Sequence, residues 1–129
     1  MATENVPNPD DYEWEFEKRG TVGVWFMKGW QGFADADLEA ASDHYRERGR
    51  NSDIEATLAV FGDETNLPKE TQEYMGEEWS VNGEYTGVDR VGFVSDGVTA
   101  MAVKAQVDIP DAEVESFGDL DAALDWARS

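Results

Sequence analysis

The sequence predicts an α/β fold: a five-stranded mixed sheet with an antiparallel N-terminal edge hairpin and four helices, in the order ββαβαβαβα. Three observations carry this. Two strand-like runs stand side by side at the start, separated only by Arg19-Gly20. Three further short apolar runs are each separated from the one before by a single segment of helical periodicity. The chain ends on a segment whose apolar residues keep strict helical spacing. Strands joined through single helices pair in parallel through right-handed crossovers, so only the first hairpin is antiparallel.

In the first element Tyr12, Trp14 and Phe16 alternate with Glu13, Glu15 and Glu17, the period of two of a strand with one wet face. Thr21 to Met27 is a continuous β-branched and aromatic run, predicting a strand with apolar side chains on both faces. Asp35 is placed to cap a helix whose Leu38, Ala41, Tyr45 and Arg48 share one face and which ends near Gly49. Ile54 to Phe61 reads as the third strand, and Gly62-Asp63-Glu64-Thr65-Asn66 breaks it. Pro68 opens a helix in which Leu67, Thr71, Met75 and Trp79 recur every four residues, with Asn82-Gly83 as its stop. Val88 to Val94 is the fourth strand, followed by a short helix in which Val98, Met101, Ala102 and Ala105 keep helical spacing. Glu113 to Phe117 is the fifth strand. Asp119 caps the last helix, where Leu120, Ala123, Leu124 and Ala127 fall at i, i+3, i+4 and i+7.

At 129 residues the chain suits one domain, 12–129, preceded by a polar, proline-bearing tail at 1–11 that reads as flexible. Ten basic against 29 acidic residues give a net charge of −19. A surface of that sign repels phosphate, which excludes a basic nucleic-acid groove. The absence of cysteine removes disulfides, thiolate metal sites and thiol nucleophiles. No stretch approaches the roughly 20 apolar residues of a membrane span. No basic region followed by an apolar core opens the chain, so the expected location is the cytoplasm.

Leu, Ile, Val and Phe together make only about 19% of the residues, which at this charge lies near the threshold for disorder, about 20%. Five Trp, four Tyr, four Met and persistent apolar periodicity argue for folding nonetheless, on condition that salt screens the charge. The Debye length falls from about 10 Å at 0.1 M to about 3 Å at 1 M. Dispersed acids, scarce lysine and small apolar residues resemble those of cytoplasmic proteins from salt-accumulating haloarchaea, with solvent cations as their constant company. The rival reading of the acidity is a mimic of nucleic acid that occupies a basic partner.

The order of elements, with Val88-Asp89-Arg90-Val91-Gly92-Phe93-Val94 before a short helix and then Glu115-Ser116-Phe117-Gly118-Asp119-Leu120-Asp121-Ala122-Ala123-Leu124-Asp125-Trp126, resembles the STAS-like fold. Sporulation anti-sigma-factor antagonists typify that family, and the likeness is closest to its stand-alone members, over roughly 12–128. The resemblance implies a binding module that docks on partner proteins, and a packed, structural Trp126. In the antagonists a phosphorylated hydroxyl lies in the loop after the third strand, within an Asp-Ser/Thr-Ser/Thr-Gly pattern. Here that loop keeps Asp63 and offers a displaced Thr65, a departure that weighs against a switch; carboxylates at Asp63 and Glu64 would also repel a phosphate.

Ligands of parallel sheets gather beyond the carboxyl ends of the strands. That rim is expected to hold Trp30 and Gln31, Asp63, Glu64 and Thr65, and Ser95 and Asp96. Trp30 between two glycines reads either as a lid on the core or as a recognition anchor. The second strand's two-sided apolar run leaves one sheet face without an evident cover, a surface for a partner or a dimer unless the hairpin curls over it. His44, the only histidine, has neither a nucleophile nor a Gly-x-Ser-x-Gly turn to serve, and reads as a solvated helix residue. Asp35/Asp37, Glu77/Glu78 and Asp119/Asp121/Asp125 lack metal-binding spacing. No catalytic residue, metal or cofactor is expected. The chain is read as a non-enzymatic protein-interaction or regulatory module; the alternatives are a small ligand-binding protein or enzyme using the acidic rim, and the nucleic-acid mimic.

Overall fold

A computed structural model describes residues 14–27, 36–49, 53–61, 68–95, 99–109 and 112–128. Its strands β1 (Glu15–Arg19), β2 (Val22–Met27), β3 (Ala56–Phe61), β4 (Arg90–Val94) and β5 (Glu113–Phe117) form one sheet in the order β1-β2-β3-β4-β5. β1 pairs antiparallel with β2, and β2 to β5 pair in parallel. Helices α1 (Ala36–Gly49), α2 (Lys69–Thr86) and α3 (Thr99–Lys104) make the crossovers, and α4 (Leu120–Arg128) follows the last strand. The fold class read from the sequence is the one observed.

Gly20 takes φ +64° in the two-residue connection of the hairpin, a conformation that costs glycine nothing. Because each parallel strand is added on the same side of the one before, crossovers of one hand put their helices on one face. Accordingly Leu38, Tyr45, Met75, Trp79, Ala100 and Val103 pack on Trp25, Met27, Ala59, Phe61, Val91 and Phe93. The opposite face, with Val22, Val24, Ala56, Leu58, Val60 and Val94, packs against Ala123, Leu124 and Ala127. The face that the sequence left without a cover is therefore covered by the chain's own last helix.

Three devices hold α4 there. Asp119 accepts the Ala122 N–H at 2.8 Å, the cap the sequence called for. Arg90 donates to the Trp126 carbonyl at 2.7 Å and to Glu113 at 3.1 Å, placing a cation at a helix C-terminus. Trp126 packs on Phe117 with ring centroids 5.2 Å apart, above Gly92, where a Cβ would come within 3.2 Å of its ring and 2.6 Å of Leu58.

Several expectations are corrected. α2 does not stop at Asn82-Gly83; it runs to Thr86 and ends at Gly87, φ +73°, whose N–H reaches the Gly83 carbonyl. Asn82 and Gly83 are buried inter-element contacts rather than breakers. Pro68 stands at the N-cap, one residue before the helix. α3 forms where the helical spacing predicts it, but it turns Ala100 and Val103 inward and leaves Met101 57% exposed, so the apolar stripe with Met101 is not its buried side. The helix is too short for apolar spacing to fix its rotation. Trp14 precedes β1 and is nevertheless almost fully buried. The tail at 1–11 and the Asp35 cap lie outside the described residues.

Gly76 and Gly83, with Ser80 between them, let the segment after α3 lie against α2. A Cβ at Gly76 would stand 2.6 Å from the Gln106 carbonyl oxygen; one at Gly83 would collide with the terminal carbon of Ile109. Ser80 Oγ accepts the Asp108 N–H at 2.8 Å. Gly76→Ala is expected to lower the thermal midpoint although alanine is the better helix former by about 1 kcal/mol, since overpacking against backbone costs about 1–3 kcal/mol. Gly83→Ala should cost less, because the Ile109 side chain can turn away. Melting curves of the two variants in concentrated KCl check the order.

Candidate functional site

The strands β2, β3 and β4 deliver their carboxyl ends side by side at Met27, Phe61 and Val94, all buried. Of the rim residues named from the sequence, only Ser95 is described; Trp30, Gln31, Asp63, Glu64, Thr65 and Asp96 lie outside the described residues. Ser95 is buried and structurally engaged. Its hydroxyl accepts the Ala100 N–H at 2.9 Å, and its own N–H donates to the Phe117 carbonyl at 3.1 Å. It thus secures the start of α3 and prolongs the β4–β5 ladder.

At the amino ends of the strands a second feature appears. Glu55 N–H donates to the Thr21 carbonyl, Asp89 N–H to that of Glu55 and Glu113 N–H to that of Asp89, so the residues preceding the strands stand in a row. With Arg90, Ala127 and Arg128 they line a half-open cleft of about 330 Å³. Arg90 already holds Glu113 and the end of α4, and the lining is chiefly polar. Ligand sites are typically concave and mostly apolar, which this cleft is not.

His44 is the correction with most chemical weight. It is 5% exposed rather than solvated. The Trp25 indole N–H donates to its Nδ1 at 2.9 Å, which leaves the proton of the neutral ring on Nε2. Trp14, Phe16 and Trp25 surround it with ring centroids 4.9 to 5.8 Å away. Burial, and secondarily the nearby Arg48, push its pKa from 6.5 down to about 4. The signal was present in the sequence, because Ala41, His44, Tyr45 and Arg48 fall at i, i+3, i+4 and i+7 and His44 belongs to the inner stripe of α1. Beside it, burial raises the Tyr45 phenol to about 12, and Thr57 donates to its oxygen at 3.1 Å.

Over the outer edge of this cluster the Arg48 guanidinium lies 5.5 Å from the Phe16 ring centre and bonds both Asp53 oxygens, at 2.9 and 3.0 Å. Arg48, with help from Lys18 at 3.4 Å, holds the Asp53 carboxyl down at about 2. A polar seam joins α1 to α2. The fully buried Asn82 donates to Ser42 Oγ at 2.7 Å, Ser42 donates to Glu78 at 3.1 Å, and Arg46 donates to Asn82 Oδ1 at 3.1 Å. Sequence reasoning missed this seam, whose only trace was a pair of polar residues at inward helical positions.

Among the described residues no group of three or more His, Asp or Glu side chains is disposed to hold a metal ion. No described helix is long and apolar enough to cross a membrane. Comparison with protein-family models, curated proteins and solved structures finds no match for this chain.

A neutral histidine fixed by a donor on Nδ1 favours the fold only while it stays uncharged. With its folded pKa below the ordinary value, its contribution is complete above about pH 6.5 and is lost as pH falls toward about 4. An NMR titration of the His44 ring should give a midpoint near 4, and His44→Gln, which keeps an acceptor but cannot titrate there, should flatten the fall of the thermal midpoint between these pH values. A ring titrating near 6.5 would contradict the buried placement.

Proposed function

We propose that the chain is a non-enzymatic protein-interaction or regulatory module of STAS-like fold, adapted to the salt-rich cytoplasm of a haloarchaeon. The observation that carries this reading is the fate of the reactive groups. The sole histidine, the side chain best suited to general acid–base work near neutrality, is committed to an indole donor inside the aromatic core. The one described rim hydroxyl, Ser95, is committed to the start of α3. These commitments support the reading of a surface whose work is recognition.

The distribution of charge supports salt adaptation. Lys18, Arg19, Arg48, Arg90 and Lys104 each hold a carboxylate at a strand or at the strand ends. The basic residues work at particular joints, while the acids greatly outnumber them. Exposed pairs of this kind are worth about 0–1 kcal/mol each, too little to offset the self-repulsion of 19 excess charges without screening.

Lowering KCl from a few molar to about 0.1 M is expected to cause a cooperative loss of helical signal, because the Debye length then exceeds the spacing of neighbouring carboxylates. Equal thermal midpoints at the two salt levels would remove the halophilic half of the proposal. The interaction half is tested by affinity capture in multimolar KCl with the intact chain as bait: specific, saturable recovery of a protein supports it, and turnover of a small molecule by the purified chain would overturn it.

A further inference from the structure

The shoulder of α2 beside α1 carries a second stripe that its packing uses only in part. Gly76, Trp79 and Gly83 turn inward, whereas Tyr74, Glu78, Val81 and Tyr85 follow one another at i, i+4, i+7 and i+11 along the edge next to α1, where Tyr74 packs partly on the main core and Glu78 accepts from Ser42. Val81 and Tyr85 are each 50% exposed, two of the three large apolar side chains so exposed among the described residues. Carboxylates flank the stripe on both shoulders. Glu70, Glu77 and Glu84 run along one side at seven-residue intervals. On the other, Glu39 and Asp43 of α1 stand one turn apart beside Glu78. These last three carboxylates, after burial, raise the Tyr74 phenol above its ordinary value, which places them around it.

The stripe is also pre-ordered. The Arg46 guanidinium sits 5.8 Å from the Tyr85 ring centre and is itself fixed by Asn82, which is fixed by Ser42. An exposed tyrosine held by a chain of contacts reaching into a buried seam loses little freedom on docking, which favours binding.

We infer that the α1-side shoulder of α2, with the adjoining edge of α1, docks an amphipathic helix of a partner protein that lays an apolar seam on Val81, Tyr85 and the uncovered edge of Tyr74 and presents Lys or Arg to the carboxylate rows on both sides. This rests on the interaction-module reading and supplies its surface and partner chemistry. The arrangement is that of a helix seam with charged flanks, in which apolar residues provide adhesion and flanking charges set the choice of partner. From Tyr74 to Tyr85 the stripe spans about 16 Å, three helical turns. A second copy of this chain does not fit, since its own stripe would bring like-charged rows together. In concentrated salt long-range attraction is screened, so the apolar anchors matter most and the charges act only at contact.

The test uses the intact, isotope-labelled chain in about 2 M KCl and, as probe, a synthetic helix of roughly 15 residues with a leucine seam and lysines on both shoulders, beside a twin with glutamates for the lysines. Backbone shifts should concentrate on residues 39–46 and 74–85. Val81→Asp and Tyr85→Ala should each weaken binding at least tenfold with unchanged thermal midpoints, Glu77→Gln with Glu84→Gln about threefold, and the glutamate twin should not bind. Shifts spread evenly over the acidic surface, equal binding of both peptides, or undiminished affinity of Val81→Asp would overturn the inference. A partner captured in KCl that still binds the Val81→Asp/Tyr85→Ala variant would overturn this face alone and leave the module reading standing.

Discussion

The structure depends on one topological constraint: β2 to β5 are laid down in order, each in parallel beside the last. Crossovers of one hand then confine α1, α2 and α3 to a single face, however their sequences vary. The other face has no connection left to cover it. A nine-residue terminal helix must do so, and α4 meets the demand with a capped start, an arginine on its last carbonyls and a tryptophan seated over a glycine. This also explains why α4 shows the cleanest amphipathic pattern in the chain. It packs by one narrow side against a sheet, whereas α1 and α2 touch neighbours on several sides and blur their patterns.

The crowded face solves a different problem. A chain poor in Leu and Ile fills its main core with rings, and rings with polar atoms need partners when buried. Trp25 and His44 satisfy each other, Tyr45 is met by Thr57, and Asn82 is saturated by Ser42 and Arg46. Such pairs add little net stability, about 1 kcal/mol for a typical hydrogen bond, but breaking one strands a buried polar atom at greater cost. They therefore fix how α1 seats on β2 and on α2 more than they strengthen the fold. A core specified this way can tolerate small apolar residues elsewhere, which is consistent with the alanines at 40, 41, 56, 59 and 100, all nearly inaccessible.

The elements legible in the sequence were those where one physical signal acted alone. The alternation of Phe16 with its glutamates and the spacing of Leu120, Ala123, Leu124 and Ala127 each report a single buried face, and the β-branched run of β2 reports a strand buried on both. Misreadings arose where two signals competed. Asn82-Gly83 carries the composition of a stop, but burial at the α1 seam and under Ile109 overrides local preference. His44 carries the composition of a wet residue, but its place on the inner stripe and the Trp25 donor within the aromatic cluster decide its state. The rim named from strand ends is legible as a location through Ser95 alone, and what the sequence could not show is that this hydroxyl is already spent on α3.

On the proposed salt-adapted reading, the salt that screens this acidic chain also changes what its surface can say to another protein. At a Debye length of about 3 Å, charges separated by one helical turn scarcely sense each other through solvent, so an acidic coat conveys solubility and hydration rather than attraction. The proposed recognition would then reside where charge gives way to exposed apolar surface. Apolar residues at the surface oppose solubility, and concentrated salt does not relieve that cost. Val81 and Tyr85 stand exposed on a helix whose inner side is already fully used, one of them braced from below by Arg46 and Asn82. Packing alone places no demand for apolar side chains at those two positions. The proposed contact with a partner helix would supply that demand.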